Sequence, residues 1–193
     1  ISFSADEGVL LCDRAFAGAD TLATSYTLVA GIKKIGETHP VDLILCGKQA
    51  IDGDTAQVGP GIAVRMGIPC ITYAIKIAGI NGKEITVERK LEAGREIVKT
   101  IMPAMLTVVK EANTLHYPPL PDLIRSVKAK INVWGRADLT VEDDKLGLTG
   151  SPTSVNKVFA PPARGGGFII EERDIAKGVG ILLDRLIAGA EKV

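Results

Sequence analysis

The sequence predicts an α/β fold with an open, mostly parallel, Rossmann-like sheet, antiparallel hairpin additions and a C-terminal helical arm. Three observations support this prediction. Apolar strand-like runs alternate with helix-like segments over the first 80 residues, the pattern of a parallel α/β sheet. An Asn81-Gly82 pair between two β-rich segments is a strong hairpin signal. Residues 171–193 form an amphipathic stretch with helical spacing of its apolar side chains.

The first three elements follow from apolar runs and the polar residues that flank them. Residues 8–12 are a short apolar run, typical of a buried parallel strand. Asp20 and Thr21 then offer an N-cap for a helix that continues to about residue 35. Residues 41–46, VDLILC, predict a second buried strand.

A second helix and a third strand follow in the same alternation. Asp54 is predicted to cap a helix that ends at Gly67, and Gln57 three residues later completes a capping-box pattern. Residues 69–77 are strand-like again. These segments together predict the parallel part of the sheet.

The pattern changes after residue 80. A second turn is predicted at residues 92–95, and residues 105–109 predict another buried strand. A proline-rich loop, residues 116–121, leads into a basic helix at residues 122–130. Residues 147–167 are rich in turn residues and carry few helix signals.

Composition excludes several classes of protein. The 23 basic and 23 acidic residues give a formal net charge of zero, which argues against non-specific binding of nucleic acid or anionic membranes. No uncharged stretch approaches the length of a membrane span. Cys12, Cys46 and Cys70 lie in or beside apolar runs without a CxxC pair, which is typical of buried thiols in a reducing compartment. We therefore expect a cytoplasmic protein without a disulfide framework or a metal site.

The segment CGKQAIDGDTAQVGPG, residues 46–61, has the most informative binding pattern. It follows a predicted strand and opens a predicted helix, the place where open α/β sheets bind ligands and helix N-termini attract phosphate. Two glycines there permit close approach of the backbone, and three polar side chains can bind a ribose or an adenine. These residues are Gly47, Gly53, Gln49, Asp52 and Thr55. The spacing matches neither a P-loop nor GxGxxG, and an ordinary βα loop explains it equally well.

Three other segments have weaker patterns. Asp20 and Thr21 would lie at the same sheet edge if the first two strands were neighbours, although helix capping explains them better. Arg164 and the glycines after it suit a phosphate contact or a linker. Leu120, within a stiff PPLP loop, suits a docking surface or simple packing. No Ser-His-Asp or Cys-His set is evident, which argues against hydrolytic chemistry.

The segment GKQAIDGDTAQVGP, residues 47–60, resembles the signature of the electron transfer flavoprotein β subunit family. VDLILC before it, the Asn81-Gly82 hairpin, HYPPLPDLIRSVKAK and SPTSVNKVFAPPARGGG follow in the family's order and spacing. The resemblance covers essentially the whole chain. It implies a sheet of the adenine nucleotide-binding type and a partner α subunit that carries FAD. The heterodimer would take electrons from dehydrogenases and pass them on.

The resemblance also implies a cofactor site and a docking loop. FAD is the expected cofactor, and AMP is the alternative. The implied cofactor-binding residues are Gly47, Gln49, Asp52, Gly53, Asp54, Thr55, Ala56, Gln57, Val58, Asp20 and Thr21. The implied docking residues, which would face an acyl-CoA dehydrogenase or a similar flavin dehydrogenase, are Tyr117, Leu120 and Leu123.

Segments such as DRAFAGADT and SPTSVNKVFAPPARGGG are most similar to the electron-bifurcating and anaerobic bacterial branch. For that branch the resemblance implies that NADH reduces a β-site flavin by two electrons. One electron then goes to a low-potential acceptor and the other, through the α-subunit FAD, to the dehydrogenase. By this resemblance the chain would bind and tune the flavin and would have no catalytic residue of its own. Residues 1–160 would be the α/β domain, and residues 161–193 an arm that contacts the partner subunit.

Two alternatives stay open. An adenine-nucleotide enzyme of similar build, such as a ligase or pyrophosphatase, is disfavoured because no phosphate-cradling motif is present. A nucleotide-free scaffold subunit is the other alternative. The sequence starts at Ile1 and soon reaches a strand, whereas the family begins with a further segment that includes its first strand and loops near the nucleotide. We therefore expect residues upstream of Ile1 to be missing.

Overall fold

The structure is a computed structural model that describes residues 1–161, 165 and 169–190. The chain divides into two units, Ile1–Ser154 and Val155–Val193. Arg164, which the sequence offered as a phosphate contact, lies outside the described residues. The helices and strands of the first unit are β1 (Val9–Leu11), α1 (Thr21–Gly36), β2 (Leu43–Gly47), α2 (Val58–Met66), β3 (Cys70–Asn81), β4 (Glu84–Leu91), β5 (Gly94–Ile101), β6 (Ala104–Val108), α3 (Leu120–Lys128) and β7 (Asn132–Trp134).

The main sheet has the strand order β2-β6-β3-β4-β5. β2 and β3 both pair with β6 in parallel, and β4 and β5 add to β3 as an antiparallel hairpin extension. The two hairpin turns are at Gly82-Lys83, where Gly82 takes a positive φ of 58°, and at Glu92-Ala93. The predicted fold class, an open α/β sheet with antiparallel hairpins, is thus confirmed.

The central strand β6 separates two apolar layers. Successive side chains of a strand point to opposite faces, and the fully buried Met105 and Leu106 follow this rule. Met105 packs with side chains of α1 and α2, whereas Leu106 packs with Ile85 and Val87 of β4. β3 carries three register shifts, which bend and twist a strand. The antiparallel strands can therefore cover the sheet face opposite the helices.

α1 begins where the sequence predicted, because the Asp20 carboxylate accepts hydrogen bonds from the backbone N–H groups of Leu22 and Ala23. Its buried face, however, is made largely of small residues, and Leu22 is partly exposed. The hydroxyl of Ser25 lies 3.0 Å from where a Cβ on Gly61 would be. Small residues on both helices thus allow α1 and α2 to approach closely.

β1 departs from the prediction. It pairs in parallel with β7 in a separate two-stranded sheet and is not a neighbour of β2. Its Leu10 is 50 % exposed, so the strand is only half-buried. The prediction of a buried strand was wrong because an apolar run signals burial on average but not the partner strand that provides it. Trp134 lies half-buried on β7, and the Lys34 ammonium lies 4.6 Å from the centre of its ring.

Two helix starts were also predicted inexactly. α3 begins at Leu120, two residues before the predicted start, because Pro121 occupies its first turn, where a missing N–H costs nothing. In the second unit, α4 covers Ile175–Ala190, whereas the predicted helical stretch began at residue 171. The Asp174 side chain accepts a hydrogen bond from the N–H of Ala176 at the start of α4. In the part of the chain that the structure describes, no helix is both long and apolar enough to cross a membrane.

Candidate functional site

The loop between β2 and α2 leaves the sheet at the carboxyl end of a parallel strand. Gly47 is the last residue of β2, and Val58 is the first residue of α2. Among the described residues, a Cβ on Gly47 or Gly53 would meet no heavy atom within 4 Å. The backbone at both glycines is therefore open to a ligand, as expected where open α/β sheets bind their ligands.

The prediction that Asp54 caps α2 was wrong. The residue before α2 is Gln57, and no side chain among the described residues makes a cap hydrogen bond there. Asp54 instead accepts a hydrogen bond from the Gln49 amide and takes a positive φ of 50°. Its side chain is thus engaged within the loop, and the first N–H groups of α2 stay without a side-chain cap. Such groups and the helix dipole favour an anion.

Backbone strain is concentrated in this loop. Asp54 has φ 50° and Ala56 has φ 53°, a left-handed conformation that costs about 1 kcal/mol or more for residues with a Cβ. Strained residues persist only where the surrounding structure holds them, and they cluster at functional sites. This observation singles out the same loop that the sequence motif singled out.

The structure brings α1 and the loop together. The Thr21 hydroxyl donates a hydrogen bond of 2.9 Å to the Gln57 side-chain oxygen. Asp20 lies next to Thr21, but its carboxylate is already used: one oxygen caps α1, and the other accepts bonds from the N–H and hydroxyl of Thr153. The capping role that the sequence favoured for Asp20 is confirmed. The remaining loop residues, from Asp52 to Thr55, are exposed.

Hydrogen bonds of Asp20 connect the start of α1 to residues 151–153, near the end of the first unit. Burial opposes its ionisation, but hydrogen bonds from Ala23, Thr153 and Leu22 outweigh that effect and hold the pKa of Asp20 below the ordinary 3.8. Its own N–H donates to the Ser151 hydroxyl at 2.8 Å. The carboxylate therefore stabilises the fold in its ionised form.

We expect Asp20→Ala to lower the free energy of unfolding by about 1–2 kcal/mol at neutral pH, because the helix loses its cap. A carboxyl whose folded-state pKa is lowered stabilises the protein above its unfolded pKa, and that contribution is lost as pH falls through the folded-state pKa. The difference from wild type should thus shrink below the ordinary pKa of 3.8. Urea unfolding of both proteins across the acid range measures it.

The matched control is Asp52→Ala, the same substitution in the exposed loop, for which we expect a change within about 0.5 kcal/mol. Other acidic groups, such as Asp13, whose pKa is lowered chiefly by backbone hydrogen bonds from Ala15 and Arg136, titrate in both proteins and cancel in the difference. An Asp20→Ala difference that stays constant down to pH about 3 would contradict a role for the ionised carboxylate.

The implied docking residues lie on a separate element. Tyr117 precedes α3, and Leu120 and Leu123 lie on it; their exposed fractions are 95 %, 69 % and 41 %. Ile124 and Val127 continue the same apolar stripe and are also exposed. These two residues were not predicted as part of the stripe, although their i+4 and i+7 spacing from Leu120 indicates it.

A cleft of about 760 Å³ opens at the carboxyl ends of β2 and β6, beside the end of β4. Lys48 and Gln49 of the β2–α2 loop form one part of its wall. Its remaining lining residues are Tyr73, Arg89, Lys90, Leu91, Glu92, Val108, Val109, Lys110 and Glu111. This cleft was not predictable from the sequence, because its residues come from separate strands and loops and form no linear motif.

The three cysteines differ in environment. Cys12 is exposed, contrary to the prediction of a buried thiol, because β1 is only half-covered. Cys46 and Cys70 are half-buried, and burial raises the pKa of both thiols, which keeps them protonated. Within the described ranges, no group of three or more His, Cys, Asp and Glu side chains is arranged to hold a metal ion.

Comparison with known proteins gives consistent results. The family model described as "Electron transfer flavoprotein domain" matches residues 1–139. The chain is 48 % identical to Protein FixA of Azorhizobium caulinodans over 168 residues, which are 85 % of this chain and 60 % of that protein. It is 44 % identical to "Caffeyl-CoA reductase-Etf complex subunit CarD" of Acetobacterium woodii, over 96 % of this chain and 70 % of that protein.

A third relative is the electron transfer flavoprotein subunit beta of Megasphaera elsdenii. It is 42 % identical over 177 residues, 90 % of this chain and 65 % of that protein. The FixA proteins of Azotobacter vinelandii and of Azorhizobium caulinodans are matched over only 59 % and 60 % of their length. The chain therefore spans about three fifths of these curated relatives.

Proposed function

Because this chain belongs to the electron transfer flavoprotein domain family and is of the β-subunit type, we propose that it serves as the β subunit of a heterodimeric electron transfer flavoprotein. It holds an adenine-containing cofactor at the β2–α2 loop. We propose FAD as this cofactor, with AMP as the alternative. The loop residues present in the chain fit such a group.

The observation that carries the proposal is the open N-terminal end of α2. Gly47 and Gly53 leave room over the backbone, and the start of α2 has no side-chain cap among the described residues. An adenine nucleotide brings the phosphate that such a helix start favours. The Thr21–Gln57 hydrogen bond fixes α1 against the loop and so limits the loop's freedom before a ligand binds.

Each group of loop residues has a role in this proposal. The glycines admit the ligand, and the N–H groups that begin at Val58 contact its phosphate. Polar side chains from both elements bind the ribose and the adenine, and the left-handed residues shape the loop. The proposed set is Gly47, Gln49, Asp52, Gly53, Asp54, Thr55, Ala56, Gln57, Val58, Asp20 and Thr21. Asp20 acts by positioning Thr21, since its carboxylate already accepts four hydrogen bonds.

When bound, FAD supplies the redox chemistry, and the chain supplies binding, orientation and electrostatics. We propose that the complex belongs to the electron-bifurcating branch, with NADH as the donor. Similarity to CarD, which by its name is a subunit of a caffeyl-CoA reductase–Etf complex, supports this proposal. We further propose that Tyr117, Leu120 and Leu123 dock a flavin dehydrogenase of the acyl-CoA type. Their exposure on one apolar stripe supports that role.

Gly53→Val tests the cofactor site. Its side chain would enter open space, so we expect the fold to tolerate it while the nucleotide content of the purified native complex falls about tenfold. The matched control is Gly79→Val on β3, where a Cβ also meets nothing within 4 Å among the described residues. Nucleotide released by acid and counted by chromatography is the measurement.

Full nucleotide content in Gly53→Val would contradict the proposed site. A loss shared equally by Gly79→Val would show a general effect of added bulk and would also count against it. Thermal unfolding of both variants, expected within a few degrees of wild type, separates blocked binding from misfolding.

A further inference from the structure

The cleft at the carboxyl ends of β2 and β6 carries an excess of positive charge. Four basic side chains line it against two carboxylates, those of Glu92 and Glu111. One of these carboxylates is already paired, since Lys90 lies 3.1 Å from Glu111. In the described part of the chain, the ammonium groups of Lys48 and Lys110 take part in no ion pair. Lys48 and Lys110 therefore face the cleft without a direct ion pair, although Lys110 is close enough to Glu111 to help lower the pKa of that carboxyl.

Arg89 is held in place by neutral groups. Its guanidinium donates to the Thr72 carbonyl oxygen at 3.0 Å and to the Thr72 hydroxyl at 2.9 Å, while its carboxylate contact with Glu96 is long, at 3.5 Å. The bonds to Thr72 therefore fix the orientation of the guanidinium without neutralising its positive charge. A planar guanidinium fixed in this way is suited to bind a phosphate.

Tyr73 forms the strained part of the wall. It has φ 59°, which is a genuine outlier for a bulky side chain. Its N–H donates to the hydroxyl of the buried Thr107 at 3.1 Å, and this bond holds the strained backbone. The Lys48 ammonium lies 5.1 Å from the centre of its ring. Strain held by a buried partner beside a cleft is typical of ligand sites.

We propose that this cleft binds a phosphate-bearing small molecule in addition to the proposed cofactor, beside the cofactor loop, whose Lys48 and Gln49 form one part of its wall. Lys48, Lys110 and Arg89 bind the phosphate. Tyr73, with the apolar side chains of Leu91 and Val108, contacts the organic part. A volume of about 760 Å³ is in the range of small-molecule sites and can hold a ligand of mononucleotide size. The cleft lies at the carboxyl end of parallel strands, where ligands of open α/β sheets bind.

Calorimetry with inorganic pyrophosphate tests the proposal on the purified native complex, after saturation with AMP to fill the loop. We expect the double variant Lys48→Gln/Lys110→Gln to bind pyrophosphate about tenfold more weakly, because two facing cations are removed. Binding to wild type should also weaken as ionic strength rises. The matched control, Lys33→Gln/Lys83→Gln, removes two exposed lysines on α1 and in the β3–β4 turn and should stay within about twofold of wild type.

Two results would overturn the proposal. One is that wild type binds no pyrophosphate at millimolar concentration and low salt; if the cleft variant then also loosens the complex, the cleft is a protein contact. The other is that both double variants lose affinity equally. Gly53→Val is expected to leave pyrophosphate affinity unchanged, so failure of this proposal is distinguishable from failure of the cofactor site.

Discussion

Truncation of Leu106 to alanine is expected to lower the free energy of unfolding by about 2–5 kcal/mol, the largest effect we expect from a single core side chain. Leu106 is fully buried on the central strand β6, where it packs with Ile71, Ile85 and Val87. Its loss leaves a cavity between the parallel strands and the hairpin strands that cover them. Urea unfolding, followed by circular dichroism, measures the change.

The matched control is a truncation of the neighbouring leucine on β2. Leu45 on β2 is the register partner of Leu106, yet it is 55 % exposed. Leu45→Ala should therefore cost about 1 kcal/mol or less. Equal losses at the two positions would show that the hairpin strands do not cover this sheet face in solution.

Gly59→Val is expected to destabilise the protein by about 1–3 kcal/mol or more through overpacking. A Cβ at this position would lie 2.7 Å from the Cys46 sulfur and 2.7 Å from the Thr107 Cγ2. α2 would have to move away from β2 and β6 to accept it. Because this movement displaces the start of α2, we expect the nucleotide content of the complex to fall as well.

Gly53→Val is the natural comparison, since it places the same side chain in open space a few residues earlier. It should lower nucleotide content while leaving the unfolding midpoint almost unchanged, whereas Gly59→Val should lower both. A Gly59→Val protein as stable as wild type would contradict the close packing of α2 against the sheet.

Local signals in the sequence predicted most of the fold. Asp20 marks the start of α1 because a side-chain cap acts within three residues, and Gly67 ends α2 with a left-handed φ of 67°. The Asn81-Gly82 signal predicted its hairpin, with the turn one residue later. Such signals depend on neighbours in the chain, so a single sequence is sufficient to find them.

Contacts between segments far apart in the chain could not be predicted from such local signals. The apolar run of β1 does not reveal that its partner is β7, more than 100 residues away, with Val9 opposite Asn132. Asp54 and Gln57 match a capping box, but the loop places Asp54 in a left-handed conformation, bonded to Gln49. Tertiary context decided both cases against the local pattern.

The candidate site shows the same difference between local and long-range features. The motif of residues 47–58 is contiguous, so its place after β2 was predictable. Its contact with the start of α1 was not, because the sequence suggested that contact only if β1 and β2 were neighbours, and they lie in different sheets. The basic cleft joins Lys48, Arg89 and Lys110 from three segments that meet only through the register of the sheet. Whether Tyr117, Leu120 and Leu123 dock a dehydrogenase stays a prediction.

The most direct test of the central claim is to count the cofactors released when the native complex is denatured. The proposal predicts two adenine-containing cofactors per heterodimer: one FAD of the partner subunit and a second at the β2–α2 loop. The second would be FAD in a bifurcating complex and AMP in the alternative. A single FAD, with no other adenine nucleotide, would contradict the claim that this chain holds a cofactor.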